Sequence, residues 1–543
     1  MFRLLKSYLF VLVFMSAMSA SAGEMFEQRD ILFKKAKFLR DQKTYIEKVA
    51  LKNPAWKDFS QAVNQYLNMY DELVSDSEVS KLSEAHLSGL QTQIDKVNLL
   101  NPMQLPKAGE KEAAFGAYYT RLKYYPEWDK QWRIGPDADV VVRFGDGRHH
   151  MIFWRGTNYI PHWVTDNDIW YNNEFNETWP TRGCSEPMSD KQCRYSHVRI
   201  IESHPARVVV HWRYALNDVD YKIAWPDKMT GWGDWTDEYY VIYPDAVGTR
   251  VITLHTSHFG DDERDTDDLG HEWHEGIIVY SGFTMPEEAL HIDAVHVANM
   301  NGEKGIWSWN KPGEPDIDIP EGSNIAMMNV RSARKPFVIS PQGCDMDVYE
   351  GCQNGSRFRW RDHWPTTMED VVGRNASGRK ASHGSFFHIT NIPVHKRRGD
   401  AFTKVLLHGM TEKGDDIQSL VPLAKSWLDA PELKLVSNHN KILYQGYDST
   451  ERAYVIKINS KQRPDEIEVN ITADRDRPLI NPALILDGRL GDEMKTKIGL
   501  NGSLLTEGKD YHSGHVTNLE KSRRIIWLNK TLTDNTVIKI NLL

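Results

Sequence analysis

The chain has 543 residues and a formal net charge of −9 at pH 7. This length is typical of two or three domains and is ample to bury a core. Lysine and arginine are spread along the chain without a basic block, which disfavours nucleic acid as a partner. The 18 tryptophans and 22 tyrosines are many, and aromatic faces commonly hold sugar rings, although most of them are expected in the core.

The first residues, MFRLLKSYLFVLVFMSAMSASAGE, have the pattern of a secretory signal peptide. A basic start precedes an apolar run, and Ala20-Ser21-Ala22 fits a cleavage site, so residues 1–22 are expected to be removed. The apolar run is too short for a membrane span, and no later segment approaches ~18 uninterrupted apolar residues. We therefore expect an exported protein, periplasmic or secreted, without a membrane span.

Residues 27–100 are predicted to be helical, within an N-terminal helical region that we assign to 23–114. Asn53 is a candidate N-cap with Pro54 at the first helical position, and Asn101 is a candidate helix end. Apolar residues recur at intervals of three and four along one stripe, which comprises Phe59, Val63, Tyr66, Tyr70 and Leu73.

The pattern changes to short β-branched and aromatic runs between turn residues from DVVVRF (139–144) onward. No alternation of strands and helices interrupts it, so an antiparallel all-β architecture is expected for the central domain, 115–415. IQSLVPLAKSWLDA is predicted to be a linker helix within 416–430. Runs such as YVIKIN, EIEVNIT and VIKINLL then predict a small C-terminal β-sandwich over 431–543.

The four cysteines form two close pairs, and export permits disulfides. We predict Cys184–Cys193 and Cys344–Cys352, although three pairings are possible from the sequence. Each bond would close a loop of about ten residues, worth roughly 2–3 kcal/mol in the chain-entropy model. Neither pair has the C-x2–4-C spacing of a zinc site.

The segment YSHVRIIESHPARVVVHWRY (195–214) predicts a hairpin with its turn near Pro205. Because side chains alternate in a strand, one face of the second strand is the natural core face. That face carries Val208, Val210 and Trp212. The opposite face carries Arg207, Val209, His211 and Arg213.

The register decides which side chains share the polar face of this hairpin. With Glu202 placed opposite Ala206, His197 lies opposite His211, and Arg199 falls on the same face. A solvated outer face is the alternative interpretation, because many antiparallel sheets have one. Histidine and arginine suit an anionic ligand better, since arginine binds carboxylate or sulfate bidentately and histidine carries protons near neutral pH.

The segment FWRGTNYIPHW places aromatic rings beside a cation and a histidine. Strand alternation puts Arg155 and Tyr159 on one side and Trp154 on the other, which we expect to be core. Pro161 is expected to end this strand and to leave Trp163 in a loop. Arg155 and Tyr159 can then face a substrate together.

Two further segments are rich in polar side chains. FRWRDHWPTTMEDVVGRNASGRKASHGSFFH (358–388) suggests a long basic loop, either functional or plain surface. HTSHFGDDERDTDDLGHEWHE (255–275) makes a metal site conceivable, but its spacing matches no strong motif. Asp237, Glu238 and Glu275 keep glycoside hydrolysis open, while G-x-S-x-G, P-loop and G-x-G-x-x-G motifs are absent.

Five motifs carry a resemblance to a known family. They are FWRGTNYIPHW, the hairpin segment, DEYYVIYPDAVG, HWP…GR…SH and NPALILDG…NG…LTEGKDY. Together they resemble an ulvan lyase family of exported bacterial polysaccharide lyases. The resemblance covers most of 115–543. It implies β-elimination on a sulfated, uronic-acid-containing algal polysaccharide. The fold class predicted is predominantly all-β: an antiparallel β-sandwich (supersandwich-like) catalytic region with an N-terminal helical segment and a small C-terminal β-sandwich.

β-Elimination removes the C5 proton of a uronate and expels the 4-linked oxygen. It needs a cation on the carboxylate, a base and an acid. With the resemblance, Arg155 and His363 are assigned to carboxylate neutralisation, and His211 to the base. Tyr159 or Tyr243 is assigned to the acid.

The predicted substrate is an anionic polysaccharide, and a sugar ring is expected to stack on Trp163. The other predicted substrate-binding residues are His197, Arg199, Arg213, Arg374 and His383. The predicted chemistry requires no cofactor and we assign no metal ligand, although a structural calcium or zinc ion is possible. The alternatives are a non-catalytic carbohydrate-binding protein and a glycoside hydrolase. The oligomeric state is not predicted.

Overall fold

The structure is a computed structural model of the chain. It describes residues 2–76, 82–108, 114–124, 129, 137–180, 184–190, 192–218, 220–258, 270–308, 319–348, 383–436, 440–459, 463–488, 490, 494–517 and 522–543. For residues 2–24 and 76, the backbone alone is described.

Most helices of the described chain lie near its start. They are α1 (Phe2–Ala50), α2 (Lys57–Asp76), α3 (Glu84–Leu100), α4 (Pro286–Ala289) and α5 (Leu420–Leu428). The predicted signal peptide falls in the first part of α1, and export stays a prediction. Within the described ranges, no helix is long and apolar enough to span a membrane.

The first three helices pack together as the stripe on α2 predicts. Phe59, Val63 and Tyr66 are buried in a cluster shared with α1 and α3. The Asn53 side chain accepts a hydrogen bond from the Ala55 N–H at 3.1 Å, which confirms the predicted cap. This cluster includes one residue of the β-rich region, Phe283, so the helices dock on that region.

A buried lysine fixes this docking. Lys35 is 1% exposed, and its ammonium group lies 2.6 Å from a Glu288 carboxylate oxygen on α4. It also donates to the carbonyl of Phe283 at 2.7 Å. Asn98 of α3 donates to the other Glu288 oxygen at 3.1 Å. Two helices are therefore hydrogen-bonded to the same acidic side chain of the β-rich region.

The central region is built of short strands. They are β1 (Gly116–Thr120), β2 (Asp139–Arg143), β3 (His150–Phe153), β4 (Pro161–Val164), β5 (Trp170–Asn172), β6 (Glu177–Thr178), β7 (His197–His204), β8 (Arg207–Ala215), β9 (Trp235–Ile242), β10 (Val247–His255), β11 (His271–Glu272), β12 (Glu275–Val279), β13 (Leu290–Ala298), β14 (Lys304–Ser308), β15 (Ile325–Val330), β16 (Pro336–Ile339), β17 (Asp345–Val348), β18 (His383–Thr390), β19 (Lys396–Arg398) and β20 (Ala401–Met410).

These strands form two large sheets in the described part of the chain. One has eight strands in the order β1-β2-β3-β4-β5-β12-β18-β17. The other has ten strands in the order β14-β13-β15-β16-β20-β10-β9-β8-β7, with β19 paired to β20. Strands β6 and β11 form a separate small pair. The predicted antiparallel, predominantly all-β class is confirmed, since the pairs within both large sheets are antiparallel.

The core of the central region lies between these two sheets. Trp212 and Tyr240 of the ten-stranded sheet share one buried cluster with Ile152 and Trp163 of the eight-stranded sheet. Alternate residues of β8 face this core, as the hairpin pattern predicts. The ten-stranded sheet therefore has an inner face in the core and an outer face on the opposite side.

The C-terminal strands form a second, smaller sandwich. They are β21 (Glu432–Leu435), β22 (Ile442–Asp448), β23 (Ala453–Ile458), β24 (Glu466–Thr472), β25 (Leu479–Ile480), β26 (Ala483–Asp487), β27 (Thr496–Leu500), β28 (Ser503–Leu504), β29 (Tyr511–Thr517), β30 (Ser522–Leu528), β31 (Thr531–Leu532) and β32 (Thr536–Leu542). Two five-stranded sheets, β21-β24-β32-β27-β28 and β22-β23-β26-β30-β29, enclose its core. The pairing of β23 with β26 is parallel.

Two elements cover parts of the outer face of the ten-stranded sheet. Helix α5 packs its apolar side on the β16–β20 portion. The C-terminal sandwich packs on Val209 and Val241 of β8 and β9. Here Arg207, which is 1% exposed, lies 2.6 Å from a Glu202 oxygen and 2.5 Å from a Glu451 oxygen of the C-terminal sandwich. The remaining part of the face, at the far ends of β7 to β10, is exposed.

Strand β7 is the edge of the ten-stranded sheet, and β1 of the other sheet approaches it. The Ile200 N–H donates to the Tyr119 hydroxyl at 2.9 Å. The Ala117 N–H donates to the Ser203 hydroxyl at 2.8 Å, and that hydroxyl donates to the Ala117 carbonyl at 3.2 Å. The edge of β7 is therefore hydrogen-bonded to side chains and backbone of a neighbouring strand.

Candidate functional site

The FWRGTNYIPHW segment is a strand, a tight turn and a second strand, so the prediction of one continuous strand is wrong. Residues Arg155–Thr157 form a short 3-10 helix after β3. Asn158 and Tyr159 have φ of 59° and 61°, the left-handed region. A Cβ on Gly156 would stand 2.3 Å from the Trp154 ring, so only glycine fits beneath that buried indole.

Arg155 lies inside this turn, and the assignment of its guanidinium to substrate is wrong. The side chain is 2% exposed and forms an ion pair with Asp139. Its other terminal nitrogen lies 3.3 Å from Asp129. The Asp139 carboxylate also accepts the Arg155 backbone N–H at 2.8 Å. The arginine therefore stabilises the turn, because its charge is already matched by carboxylates.

Tyr159 and Trp163 belong to the core and do not face an open cleft. Tyr159 is 3% exposed, and burial raises the pKa of its hydroxyl. Pro161 begins β4, so Trp163 is a strand residue and not the predicted loop residue. The Trp163 indole is 1% exposed and donates to His408 Nδ1 at 2.8 Å. Its predicted stacking on sugar is therefore wrong.

Tyr243 and His383 lie apart from the exposed outer face. Tyr243 is fully buried against the C-terminal sandwich, where its hydroxyl donates to the Glu451 carbonyl at 2.6 Å. His383 begins β18 in the eight-stranded sheet, opposite Val279, and is 2% exposed. Tyr243 instead lies with Ala206 and Val209 at the turn end of the hairpin, and His383 lies in the other sheet. His363 and Arg374 lie outside the described residues.

The predicted disulfide between Cys184 and Cys193 is wrong. The Cys184 thiol donates to a Glu177 oxygen at 3.1 Å, while the Cys193 thiol donates to the Arg155 carbonyl at 3.5 Å. The two thiols thus have different partners. The second predicted pair includes Cys352, which lies outside the described residues.

The polar face of the β7–β8 hairpin is formed, with a register that differs from the predicted one by two residues. His197 pairs with Arg213, and Arg199 pairs with His211. A shift of two keeps every side chain on its face, because the period of a strand is two. A bulge between Ile200 and Glu202 accounts for the remaining irregularity.

Strands β9 and β10 add four polar side chains to this face. Asp237 lies opposite Arg213 of β8 and Thr253 of β10, Tyr239 lies opposite His211, and His255 lies opposite Trp235. We call the outward-facing set on these four strands the β7–β10 face: His197, Arg199, His211, Arg213, Asp237, Tyr239, Thr253 and His255. With Val198 they line a shallow cavity of about 480 Å³.

Asp237 is the one carboxylate of the β7–β10 face, and it contacts three basic side chains. Its carboxylate lies 2.7 Å from His211 Nε2, 2.9 Å from Arg213 and 3.2 Å from His255. Burial alone would raise the pKa of Asp237, but hydrogen bonds from His211 and His255 and the charge of Arg213 outweigh it and hold the pKa well below its usual range. The carboxylate therefore stays ionised and orients three basic side chains.

The two ring nitrogens of His211 both have partners. Nδ1 accepts from Arg199 Nε at 3.1 Å, since an arginine nitrogen can only donate. Nε2 lies 2.7 Å from Asp237 and donates to it in the resulting tautomer. The imidazole is 5% exposed and stacks on Tyr239 with ring centroids 4.5 Å apart. This arrangement makes His211 an orienting group for Arg199 and Tyr239.

Aromatic rings stand beside the cavity at the Arg213 end. The Arg213 guanidinium lies 5.1 Å from the Trp235 ring centroid, and Tyr195 meets the same ring edge-on at 5.8 Å. Trp232 is 64% exposed and lies 6.3 Å from Trp235. Trp235 beside Arg213, with the exposed Trp232 ring next to it, provides the combination of indole and guanidinium that suits an anionic sugar.

Sequence reasoning missed Tyr239, His255, Trp232 and Trp235, and gave Asp237 a different role. The signal was available: in WTDEYYVI (235–242) alternation puts Trp235, Asp237 and Tyr239 on one face. What the sequence lacked was the order of the strands, because only the pairing of β9 with both β8 and β10 brings these faces together.

A larger groove of about 730 Å³ lies on the C-terminal sandwich, but its charges are mixed. Its lining includes three acidic residues, Asp448, Glu451 and Asp487. Arg523 in the same groove is 3.3 Å from Glu451 and 3.7 Å from Asp487, so its charge is matched internally. The smaller β7–β10 face is the better site for an anion because its basic groups outnumber its one carboxylate.

The three carboxylates considered for glycoside hydrolysis are separated by the fold. Asp237 is on the outer face, whereas Glu238 is fully buried in the core. There Glu238 accepts from Arg250 Nε at 2.7 Å and from the Tyr214 hydroxyl at 2.7 Å. Glu275 lies in β12 of the other sheet. They do not form a pair flanking one bond.

Three groups of side chains in the described chain have the geometry to hold a metal ion. They are Asp146–His149–Asp166, Glu177–Cys184–Glu186 and Glu174–Glu272–Glu275. In the first group Arg334 already supplies the cation, at 3.0 Å from Asp146 and 3.1 Å from Asp166.

Comparison with known proteins gives little. No family model matches the chain, and no curated protein matches it. It is similar to the crystal structure of a heparan sulfate lyase HepC mutant from Pedobacter heparinus, with 10% identity and a TM-score of 0.26, over 82% of this chain and 64% of that chain. A heparinase III structure has 8% identity and a TM-score of 0.20, over 72% and 45%. The chain spans less than two thirds of either structure.

Proposed function

We propose that this protein is an exported polysaccharide lyase that cleaves a uronic-acid-containing, ulvan-like sulfated polysaccharide by β-elimination. The resemblance of its motifs to an ulvan lyase family motivates the proposal. The observation that supports it best is the β7–β10 face, where Arg199 and Arg213 flank a Tyr239–His211 stack above one shared carboxylate, Asp237.

The arginines supply the positive charge that β-elimination needs. Arg199 is exposed, and the Arg213 side chain is 41% exposed, so both can meet a ligand in the cavity. A guanidinium binds a carboxylate or sulfate bidentately and stabilises the enolate that forms when the C5 proton leaves. His197 and His255 add further hydrogen-bond donors at the same end of the face.

Tyr239 is the side chain best placed for proton transfer. It is 36% exposed, unlike Tyr159 and Tyr243, and its ring is held by His211. We assign it the proton-transfer role that the sequence gave to those two tyrosines. His211, assigned as the base from the sequence, becomes a positioning residue because both its nitrogens are engaged within the protein. His363 and Arg374 stay candidate substrate contacts.

A turnover assay tests the proposal directly. The purified chain is incubated with ulvan, heparan sulfate and an unsulfated uronate polymer, and the ultraviolet absorbance of the unsaturated uronyl product is followed. We expect it to rise with ulvan. Arg213→Ala should raise KM at least ~10-fold through loss of a charge-assisted hydrogen bond, whereas Arg148→Ala, an exposed charge outside the face, should leave KM unchanged.

Two other outcomes of these assays would assign a different function to the protein. New reducing ends without the unsaturated chromophore would identify a glycoside hydrolase. Retention on ulvan in affinity electrophoresis with no new ends would identify a binding protein that uses the same arginines and indoles. Absence of both turnover and retention on every polymer contradicts the proposal.

A further inference from the structure

A buried group of glutamates lies apart from the β7–β10 face. Glu174 follows β5, Glu272 ends β11 and Glu275 begins β12. Strand β11 pairs with β6, where Glu272 lies opposite Glu177. Glu174 and Glu275 are 2% and 8% exposed. Carboxylates from two separate stretches of chain, one at Glu174 and one at 272–275, are thus brought together away from bulk water.

The carboxylates of Glu174, Glu272 and Glu275 converge. One oxygen of each lies within 4.8 Å of the other two. This is close enough for one cation to contact all three oxygens. Three carboxylates suit calcium, which takes many oxygen ligands, better than magnesium, which usually binds one or two carboxylates and keeps several waters.

One carboxylate of the group points to a missing ligand. Glu174 Oε2 is buried and has no hydrogen-bond partner in the described structure. A buried carboxylate oxygen without a partner is costly, and a cation is the usual compensation.

The other two carboxylates are oriented by neighbours from β18. The Ser385 hydroxyl donates to Glu275 Oε2 at 2.8 Å. His388 Nδ1 lies 3.2 Å from Glu272 Oε1. Such outer contacts orient the oxygens of a ligating carboxylate.

We propose that Glu174, Glu272 and Glu275 bind one calcium ion, which ties the segment after β5 to β11 and β12. An all-oxygen, all-carboxylate donor set is the one that hard cations prefer, and thiolate or imidazole is absent from it. The neighbouring Glu177–Cys184–Glu186 group contains a thiol and would suit zinc better. The calcium site does not depend on the proposed lyase activity.

Calorimetry and terbium luminescence test this site on the full chain after treatment with a chelator. We expect calcium chloride to bind with one ion per chain and to raise the melting temperature, and EDTA to reverse the rise. Terbium, a calcium mimic, should luminesce on excitation of tryptophan, because Trp273 adjoins Glu272 in sequence and is buried beside the group. Calcium should quench that signal by competition.

Two substitutions separate the site from general effects of charge. Glu174→Gln should abolish calcium binding and terbium luminescence while keeping the fold, since it removes a buried charge. Glu272→Gln is the second variant if Glu174→Gln does not fold. Glu432→Gln, an exposed glutamate paired with Lys434, should bind calcium as the unaltered protein does. Calcium binding retained by both glutamine variants of the group, no binding by the unaltered protein, or binding of zinc that is tighter than that of calcium and is lost in Glu174→Gln would overturn the proposal.

Discussion

At the scale of single residues, exposure separates the tyrosines that the sequence could not rank. Tyr159, Tyr239 and Tyr243 all occur in aromatic strand-like segments. Tyr239 alone of the three is exposed, and it stands between the arginines of the β7–β10 face. Tyr243 instead donates its hydroxyl to the Glu451 carbonyl and fixes a domain interface.

A matched pair of substitutions tests this difference. Tyr239→Phe should lower kcat on ulvan by about 10²- to 10⁴-fold, the usual contribution of a positioned proton-transfer group. Tyr243→Phe should leave kcat unchanged and lower the free energy of unfolding by about 1 kcal/mol, through loss of one hydrogen bond. Initial rates and urea unfolding of both variants give the comparison. Equal rates for the two variants would remove Tyr239 from the chemistry.

The structural roles of single residues were predictable where a local sequence pattern determines them. The Asn53 cap and the buried Trp154 follow from spacing and alternation, and the structure has both. Arg155 was not predictable, because its partners Asp129 and Asp139 lie 26 and 16 residues earlier in the chain. A buried arginine and a ligand-binding arginine have the same local sequence, and only tertiary contacts distinguish them.

At the scale of elements, the two-residue period of a strand was enough to predict which side chains share one face of the β7–β8 hairpin. The predicted set of His197, Arg199, His211 and Arg213 shares one face although the predicted register was two residues off. The bulge after Ile200 was not predictable, since no glycine or proline marks it. The face was therefore predictable, whereas its cross-strand partners and the order of its strands were not.

The docking of the N-terminal helices depends on one buried side chain of α1. Lys35→Ala should lower the free energy of unfolding by about 3–5 kcal/mol, because it leaves Glu288, whose side chain is 13% exposed, without its cation. Its sequence neighbour is the control. Lys34 is 42% exposed and pairs with Asp30 at 2.9 Å and with Glu287 of α4 at 3.5 Å, and because exposed pairs contribute little, Lys34→Ala should cost less than about 1 kcal/mol. Chemical unfolding of both variants measures the difference, and similar values would contradict this role for Lys35.

At the scale of the whole molecule, buried ion pairs join the two sandwiches, and one network of them centres on Arg207. Arg207→Ala should cost about 3–5 kcal/mol, since it leaves Glu202 and Glu451 facing each other at the interface. Arg523→Ala removes another partner of Glu451, at 3.3 Å, but from a side chain that is 26% exposed. We expect it to cost less than about 1 kcal/mol. Calorimetric unfolding that changes equally in both variants would show that burial of Arg207 is unimportant.

Acid stability should depend on histidines that the fold keeps neutral. Burial lowers the pKa of His149 to about 4, below the ~6.5 of an unfolded chain. The unfolded chain then binds more protons between pH ~6.5 and ~4, so this histidine's contribution to stability is lost as the pH falls through that window. Relative to His149→Asn, the unaltered protein should lose on the order of 3 kcal/mol by pH 4.

Urea unfolding of both proteins at several pH values between 7.5 and 4 checks this expectation. The free energies of unfolding of the two proteins are subtracted at each pH. Glu174 and Glu177, which are buried near β11, have raised pKa values and change stability with pH in the opposite sense to His149. Their effect is the same in both proteins, so it cancels in the difference. Parallel stability curves would show that His149 does not titrate as its burial implies.

The architecture was more predictable than the site, since runs of short strands after a helical start suffice to assign an all-β sandwich. The order in which the strands pair could not be predicted from the sequence. In the eight-stranded sheet, β5 pairs with β12 and β12 pairs with β18, and each of these pairs joins strands more than 100 residues apart in the chain. Such non-local pairing is set by the shared core and leaves no short-range signal.

The contact of β1 with the edge of β7 has a consequence for behaviour at high concentration. An unpaired edge strand invites a strand of a second molecule and can start aggregation. In this chain the Tyr119 hydroxyl accepts from the Ile200 N–H of that edge, and the Ala117 backbone is hydrogen-bonded to the Ser203 hydroxyl. The middle of β7 is therefore less open to pairing with a second molecule, although the same strand carries ligand-facing side chains.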